Sequence, residues 1–196
     1  MLVPQGFCDL KTEIPELILD IRYATPHNLT GHPLAGYGAA RAIGTWEMCR
    51  ALRRACALAG GRPFRVFDAY RPQRAVADFV RWAKAPEDGA TRGAFYPRLE
   101  KAALFPQGYI AEKSGHSRGS TIDLTLEGLD MGSDFDLMDE RSHHGAAGLT
   151  QAQHENRELL KALMQAAGFA PCANEWWHYR LEGEPFPDTY FDFPIR

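Results

Sequence analysis

From Ala39 to Gly60 the chain reads AARAIGTWEMCRALRRACALAG, and Ile43, Trp46, Met48, Leu52, Ala55, Cys56 and Ala59 recur at roughly helical spacing before a Gly60-Gly61 stop. The pattern predicts a helix over 39–60. FRVFDAY (Phe64 to Tyr70) is β-branched and aromatic and predicts a strand, Pro72 interrupts it, and QRAVADFVRWAKA (Gln73 to Ala85) resumes a helical period. Arg71 therefore sits at a strand-to-helix corner. Gln153 to Ala167 predicts a second amphipathic helix stopped by Gly168, while Thr121–Leu126 and Trp176–Leu181 predict strands. Helices and strands do not alternate as regular βαβ units, so the expectation is an α+β fold, a mainly antiparallel central sheet flanked by helices.

Composition narrows this picture little but excludes some functions. At 196 residues, 45% hydrophobic and 24% charged, with no repeat and no dividing linker, the chain is expected to form a single domain over 1–196. A net charge of -3, with no lysine or arginine run on one predicted helix, argues against nucleic acid as a partner. The start, MLVPQGFCDLKTEIPEL, meets Pro4, Gly6, Asp9 and Lys11 before any signal-like apolar stretch, and no later run approaches a membrane span. The expected location is cytoplasmic, without membrane association, and the oligomeric state, including a homo-oligomer, stays open. Cys8, Cys49, Cys56 and Cys172 form no C-x-x-C pair and read as free, partly buried thiols.

The chemistry gathers in two stretches. EKSGHSRGSTIDLTL (Glu112 to Leu126) places His116 in a Gly/Ser-rich loop seven residues before Asp123, which faces away from the apolar Ile122, Leu124 and Leu126 side of its strand. Imidazole nitrogen and carboxylate oxygen are both donors that zinc accepts. NEWWHYRL supplies a third, His178, on the expected face of Trp176, His178 and Arg180. Glu175, placed just outside that strand, leans over the metal's open position, where a general base belongs. Each feature also has an ordinary reading. A lone His-to-Asp spacing is common, EWWH suits a buried tryptophan pair, and Arg71 suits a corner cap or salt bridge. His27, His32, His143, His144 and His154 read as surface or turn residues.

Taken in order along the chain, YATPHNLTG (Tyr23 to Gly31), FDAYRPQRAV (Phe67 to Val76), GYIAEKSGHSRGSTIDLTL (Gly108 to Leu126), MGSDFDLMDERSHH (Met131 to His144), EWWHY (Glu175 to Tyr179) and TYFDFP (Thr189 to Pro194) resemble the VanX-type D-alanyl-D-alanine dipeptidases, relatives of the zinc D,D-carboxypeptidases. The resemblance implies a D,D-peptidase/hedgehog-like fold. It further implies one zinc ion per chain on His116, Asp123 and His178, Glu175 as catalytic base, Arg71 beside the reacting carbonyl, and free D-Ala-D-Ala as the small-molecule substrate. Asp136 and Tyr23 would then lie near the substrate's amino end, and Ser114 near the peptide or its carboxylate. One position departs from the family pattern, which usually has a second serine where Gly115 stands. Three rivals compete with this reading. A non-haem iron oxygenase has no duty for Glu175, a polymer-directed carboxypeptidase or lysin would need export, and a structural zinc module would need neither Glu175 nor Arg71.

Overall fold

The computed structural model describes residues 3–196. In chain order its elements are β1 (Phe7–Asp9), α1 (Leu10–Glu13), β2 (Ile18–Leu19), β3 (Ile43–Thr45), α2 (Trp46–Leu58), β4 (Phe64–Asp68), α3 (Gln73–Lys84), α4 (Arg92–Phe95), β5 (Thr121–Leu126), α5 (Gln151–Ala166), β6 (Phe169–Cys172) and β7 (Glu175–Leu181), joined by loops and short 3-10 turns. A five-stranded sheet runs in the order β2-β4-β5-β7-β6, beside a two-stranded β1-β3 ribbon. The β2-β4 pair is parallel, and β4-β5, β5-β7 and β6-β7 are antiparallel, so the expected α+β architecture with a mainly antiparallel sheet holds.

The predicted long helix from Ala39 is shorter than its period suggested. Ile43–Thr45 pair with Phe7–Asp9 instead, and α2 begins only at Trp46, where the Thr45 hydroxyl accepts from the Met48 amide. Gly44 permits this pairing. A Cβ there would meet the Met48 methyl and press on Leu10, so glycine lets the ribbon lie against α2 without moving those side chains. Helix α5 starts two residues earlier than predicted because Thr150 and Gln153 form a reciprocal capping box.

Strand β5 lies centrally, and all six of its residues are buried. Ile122, Leu124 and Leu126 join Phe64, Val66, Trp177 and Tyr179 in the hydrophobic core. Its other face is not solvated either, since Thr121, Asp123 and Thr125 are covered too. Burying polar groups this way costs free energy unless partners are supplied.

One buried cation makes several of the contacts that tie down the long loop between β5 and α5. Arg157, fully buried on α5, donates to the carbonyls of Met131 (2.6 Å), His143 (2.6 Å) and Arg141 (2.8 Å) and to the Ser133 hydroxyl. Burial pulls its guanidinium down to about 10. His144, expected at the surface, is instead buried. Its amide donates to the Ala173 carbonyl and its ring meets Tyr179 edge-on, which draws it under the β6-β7 hairpin. The four cysteines are free, Cys8 and Cys49 buried and Cys56 and Cys172 half-buried. Among the described residues no helix is long and apolar enough to cross a membrane.

Candidate active site

The sheet register builds most of the site. Asp68 on β4 lies opposite Asp123 on β5, and Asp123 lies opposite His178 on β7, so one polar row crosses three adjacent strands. His116 enters from the 3-10 turn Gly115–Arg118, whose N-cap is Ser114 and which ends at Gly119 with φ +82. Only glycine suits that end, because a side chain would be strained there and would also run into the Phe7 ring.

Three donors converge. His116 Nε2 is 3.3 Å from Asp123 Oδ2, His178 Nδ1 is 3.0 Å from Asp123 Oδ1, and the two ring nitrogens are 3.3 Å apart. Together they form a group that can hold a metal ion. The ring orientation of His116 is set from behind. Its Nδ1 lies 2.7 Å from the Ala69 carbonyl, which cannot donate, so Nδ1 carries the proton and Nε2 presents a lone pair to the cluster. Burial alone would push the Asp123 carboxyl up, yet His116 and His178 outweigh it and hold it well below the usual carboxylate range. Burial pulls His178 down, but its contact with Asp123 reverses the sign and raises it. Two facing imidazoles around one carboxylate need positive charge between them, and a metal ion answers that need as well as a proton does.

Glu175 approaches the same cluster, its Oε2 3.4 Å from His178 Nδ1. It does not stand outside the strand as expected but opens β7, facing Cys172 after a register shift that follows the Pro171 pairing with Tyr179. That shift lets residues three apart converge, which an ideal strand forbids. It also ends the expected alternation, since Trp176 and Trp177 are both buried, edge-to-face at 5.3 Å. Burial raises the Glu175 carboxyl against the pull of His178.

Arg71 points inward from its corner, away from a capping role. Its Nε donates to Asp68 Oδ2 at 2.9 Å, its Nη2 reaches Asp123 Oδ2 at 3.5 Å, and its Cζ lies 4.6 Å from the Tyr23 ring centroid and 5.3 Å from that of Phe79. Asp68 was not singled out from the sequence. It accepts from Arg71 and, at 2.6 Å, from the Tyr37 hydroxyl, and it lies 3.4 Å from His116 Nδ1, so it orients both a candidate ligand and the guanidinium. The available signal was an acid three residues before Arg71 at a strand end. Tyr37 had none.

Asp136 is the one non-glycine residue at positive φ (+67) among the described residues. It is buried, its Oδ1 accepts from the Tyr23 hydroxyl at 3.0 Å, and its Oδ2 has no partner. Burial pushes this carboxyl up to about 7, against the lowering influence of Arg71 and Tyr23. Ser114 accepts from the His116 amide through its hydroxyl at 3.3 Å. At the departing position, a Cβ on Gly115 would come within 2.9 Å of Thr121 Oγ1, so a serine there would require the neighbouring strand side chain to shift.

All eight residues singled out from the sequence line one cavity of about 260 Å³, joined by Lys113, Cys172, Asn174 and apolar walls including Phe79, Met138 and Trp177. That volume suits a very small ligand. The D-ala-D-ala dipeptidase family profile matches residues 4–196. Among curated relatives, a D-alanyl-D-alanine dipeptidase of Enterococcus faecalis is 48% identical over 97% of this chain and 98% of its own length. One from Streptomyces coelicolor is 50% identical over 90% and 91%, and one from Escherichia coli 35% identical over 88% and 83%. A solved vancomycin resistance D,D-pentapeptidase, VanY, in complex with Zn(II), overlaps with a TM-score of 0.44 at 17% identity, covering 76% of this chain and 78% of that one. Matched across nearly its whole length, the chain belongs to the D-ala-D-ala dipeptidase family, a family of zinc metallopeptidases.

Proposed function

We propose that the protein hydrolyses free D-Ala-D-Ala to two D-alanines, using one zinc ion per chain held by His116, Asp123 and His178. The observation that carries this reading is the union, in one small cavity, of a three-donor cluster, a carboxylate 3.4 Å from one donor, and a second buried carboxylate with a free oxygen. Its relatives' names supply the substrate. The donor spacing suits zinc. Zinc takes imidazole nitrogen and carboxylate oxygen at about 2.0 Å, and one such donor atom from each of the three side chains lies within 4.8 Å of the others. When bound, zinc supplies Lewis acidity and brings the pKa of water at the site to about 7.

The chain's own groups do the rest. Glu175 takes a proton from the attacking water at its carboxylate and returns it to the leaving amine, a task its raised pKa suits because a stronger base holds that proton better. Arg71, held by Asp68 and clasped between two rings, presents a fixed positive charge to the oxygen of the carbonyl under attack. Asp136, oriented by Tyr23, receives the substrate's ammonium group on its unpartnered oxygen. We place the enzyme in the cytoplasm, where four free thiols stay reduced, and as one catalytic unit over 1–196.

The amine contact is the exposed point of the proposal. An amide cannot make that charge-assisted bond and would leave Asp136 buried without a partner. Zinc-loaded protein is therefore expected to cut D-Ala-D-Ala and to reject N-acetyl-D-Ala-D-Ala by roughly 10,000-fold in kcat/KM. Comparable rates on both, measured by D-alanine release, would replace the dipeptidase with a carboxypeptidase.

A further inference from the structure

A free dipeptide is a zwitterion, so a cavity built for it needs a cation opposite Asp136 as well as the anion itself. Two lysine or arginine residues line the cavity, Arg71 and Lys113. Arg71 is already committed, bonded to Asp68, 3.5 Å from Asp123 and packed against Tyr23 and Phe79. Lys113 has no ion pair and no hydrogen bond among the described residues.

Its position is nonetheless built. The Gln73 side chain donates to the carbonyl of Glu112 at 2.8 Å, holding the residue before it, and Ser114 after it caps the turn that carries His116. The Lys113 ammonium lies 5.1 Å from the Tyr190 ring centroid. Tyr190 is held in turn, since its hydroxyl accepts from Arg118 at 3.4 Å and the next amide, Phe191, donates to the Ser117 carbonyl at 2.8 Å. The C-terminal TYFDFP segment thus braces the loop that carries Lys113.

Resting on the dipeptidase reading, we propose that Lys113 receives the C-terminal carboxylate of the substrate, with Tyr190 as its positioning residue. The Ser114 hydroxyl, whose oxygen accepts from the His116 amide, keeps its own proton free to donate to the same carboxylate. Lys113 is exposed at the cavity mouth, so water screens the pair and the effect is moderate.

The test uses zinc-loaded protein with two ligands, D-Ala-D-Ala and D-alanyl-D-alaninamide, which lacks the negative charge. Binding is read by calorimetry in a Glu175→Ala background, so that no turnover intervenes. Lys113→Gln is expected to weaken D-Ala-D-Ala by about tenfold while changing the amide by less than about twofold, with Lys113→Arg keeping most of the affinity. In the active enzyme the same change should raise KM and leave kcat near its wild-type value. Tyr190→Leu should show part of the KM effect and Tyr190→Phe little, because the ring and not the hydroxyl faces the ammonium. Unchanged D-Ala-D-Ala affinity in Lys113→Gln, or equal losses on both ligands, overturns the inference alone. Wild-type enzyme that leaves D-Ala-D-Ala uncut overturns the dipeptidase reading and this inference with it.

Discussion

The two ends of the cavity are built by different means. At the metal end, Asp123 and His178 are cross-strand neighbours in the middle of the sheet, and their spacing is set by the β5-β7 ladder. At the amine end, Asp136 sits in an irregular loop, at a backbone angle that ordinary side chains avoid. The first end gets its geometry from repeating hydrogen bonds, so a local change there leaves the frame standing. The second gets it from a few specific contacts, Tyr23 on the carboxylate and Arg157 on the loop backbone, and is the easier end to disorganise. Chemistry that tolerates little displacement stands on the sheet, and recognition stands on the loop.

This contrast can be broken most forcefully at the metal end. His178→Ala is expected to fold but to bind well below one zinc per chain by elemental analysis and to lose essentially all activity, whereas Glu175→Ala should keep its zinc and lose roughly 100- to 10,000-fold in kcat. Zinc loss in the glutamate variant would make Glu175 a ligand and move it out of the proton-transfer role. The amine end should respond less strongly and in a different variable. Asp136→Asn is expected to lower kcat/KM for the free dipeptide by about 10- to 100-fold, with zinc content unchanged. Because burial raises the Asp136 carboxyl to about 7, against Arg71 and Tyr23 and with Asp123 and Glu175 adding to the rise, its charge is present above that pH and lost below. The wild-type kcat/KM should therefore climb through pH 7 more steeply than that of the asparagine variant, which keeps only the rise owed to water at the metal and to Glu175.

The smallest effect concerns the frame of the loop. Burial lowers His144 from an ordinary 6.5 to about 4, with Lys161 and Arg157 adding to the drop and Glu158 opposing it. A depressed folded-state value means that the neutral ring's contribution is complete above 6.5 and is lost as pH falls from there toward 4. His144→Phe should remove this dependence. Its Tm, followed by circular dichroism, should fall between pH 7 and 5 by about 2–5 °C less than that of the wild type.

How much of this could be read in the sequence follows the same division. The strand alternation of TIDLTL placed Asp123 on the face opposite Ile122, Leu124 and Leu126, and the ladder kept it there. Glu175 was legible as a residue type but not as a geometry, because the register shift that turns it toward His178 leaves no periodic trace. The start of α2 was misplaced because Ile43 fits a helical period equally well, and what sets it is pairing with the distant Phe7–Asp9 strand and the Thr45 cap, neither of which shows in the local period. Asp68 and Tyr37 were invisible for a related reason. Their importance lies in what they touch, and pairwise contacts between distant segments have no local signature.

Arg157 gives the loop a fate of its own. The guanidinium reaches three carbonyls between Met131 and His143 from a helix that otherwise takes no part in the site. Substrate reading is thereby wired to a distant piece of scaffold, and while that helix stays folded these three bonds keep holding the loop's backbone. Heating or denaturant should accordingly find no stage at which the enzyme remains compact yet has grown indiscriminate toward blocked peptides; selectivity and helicity should disappear in the same transition.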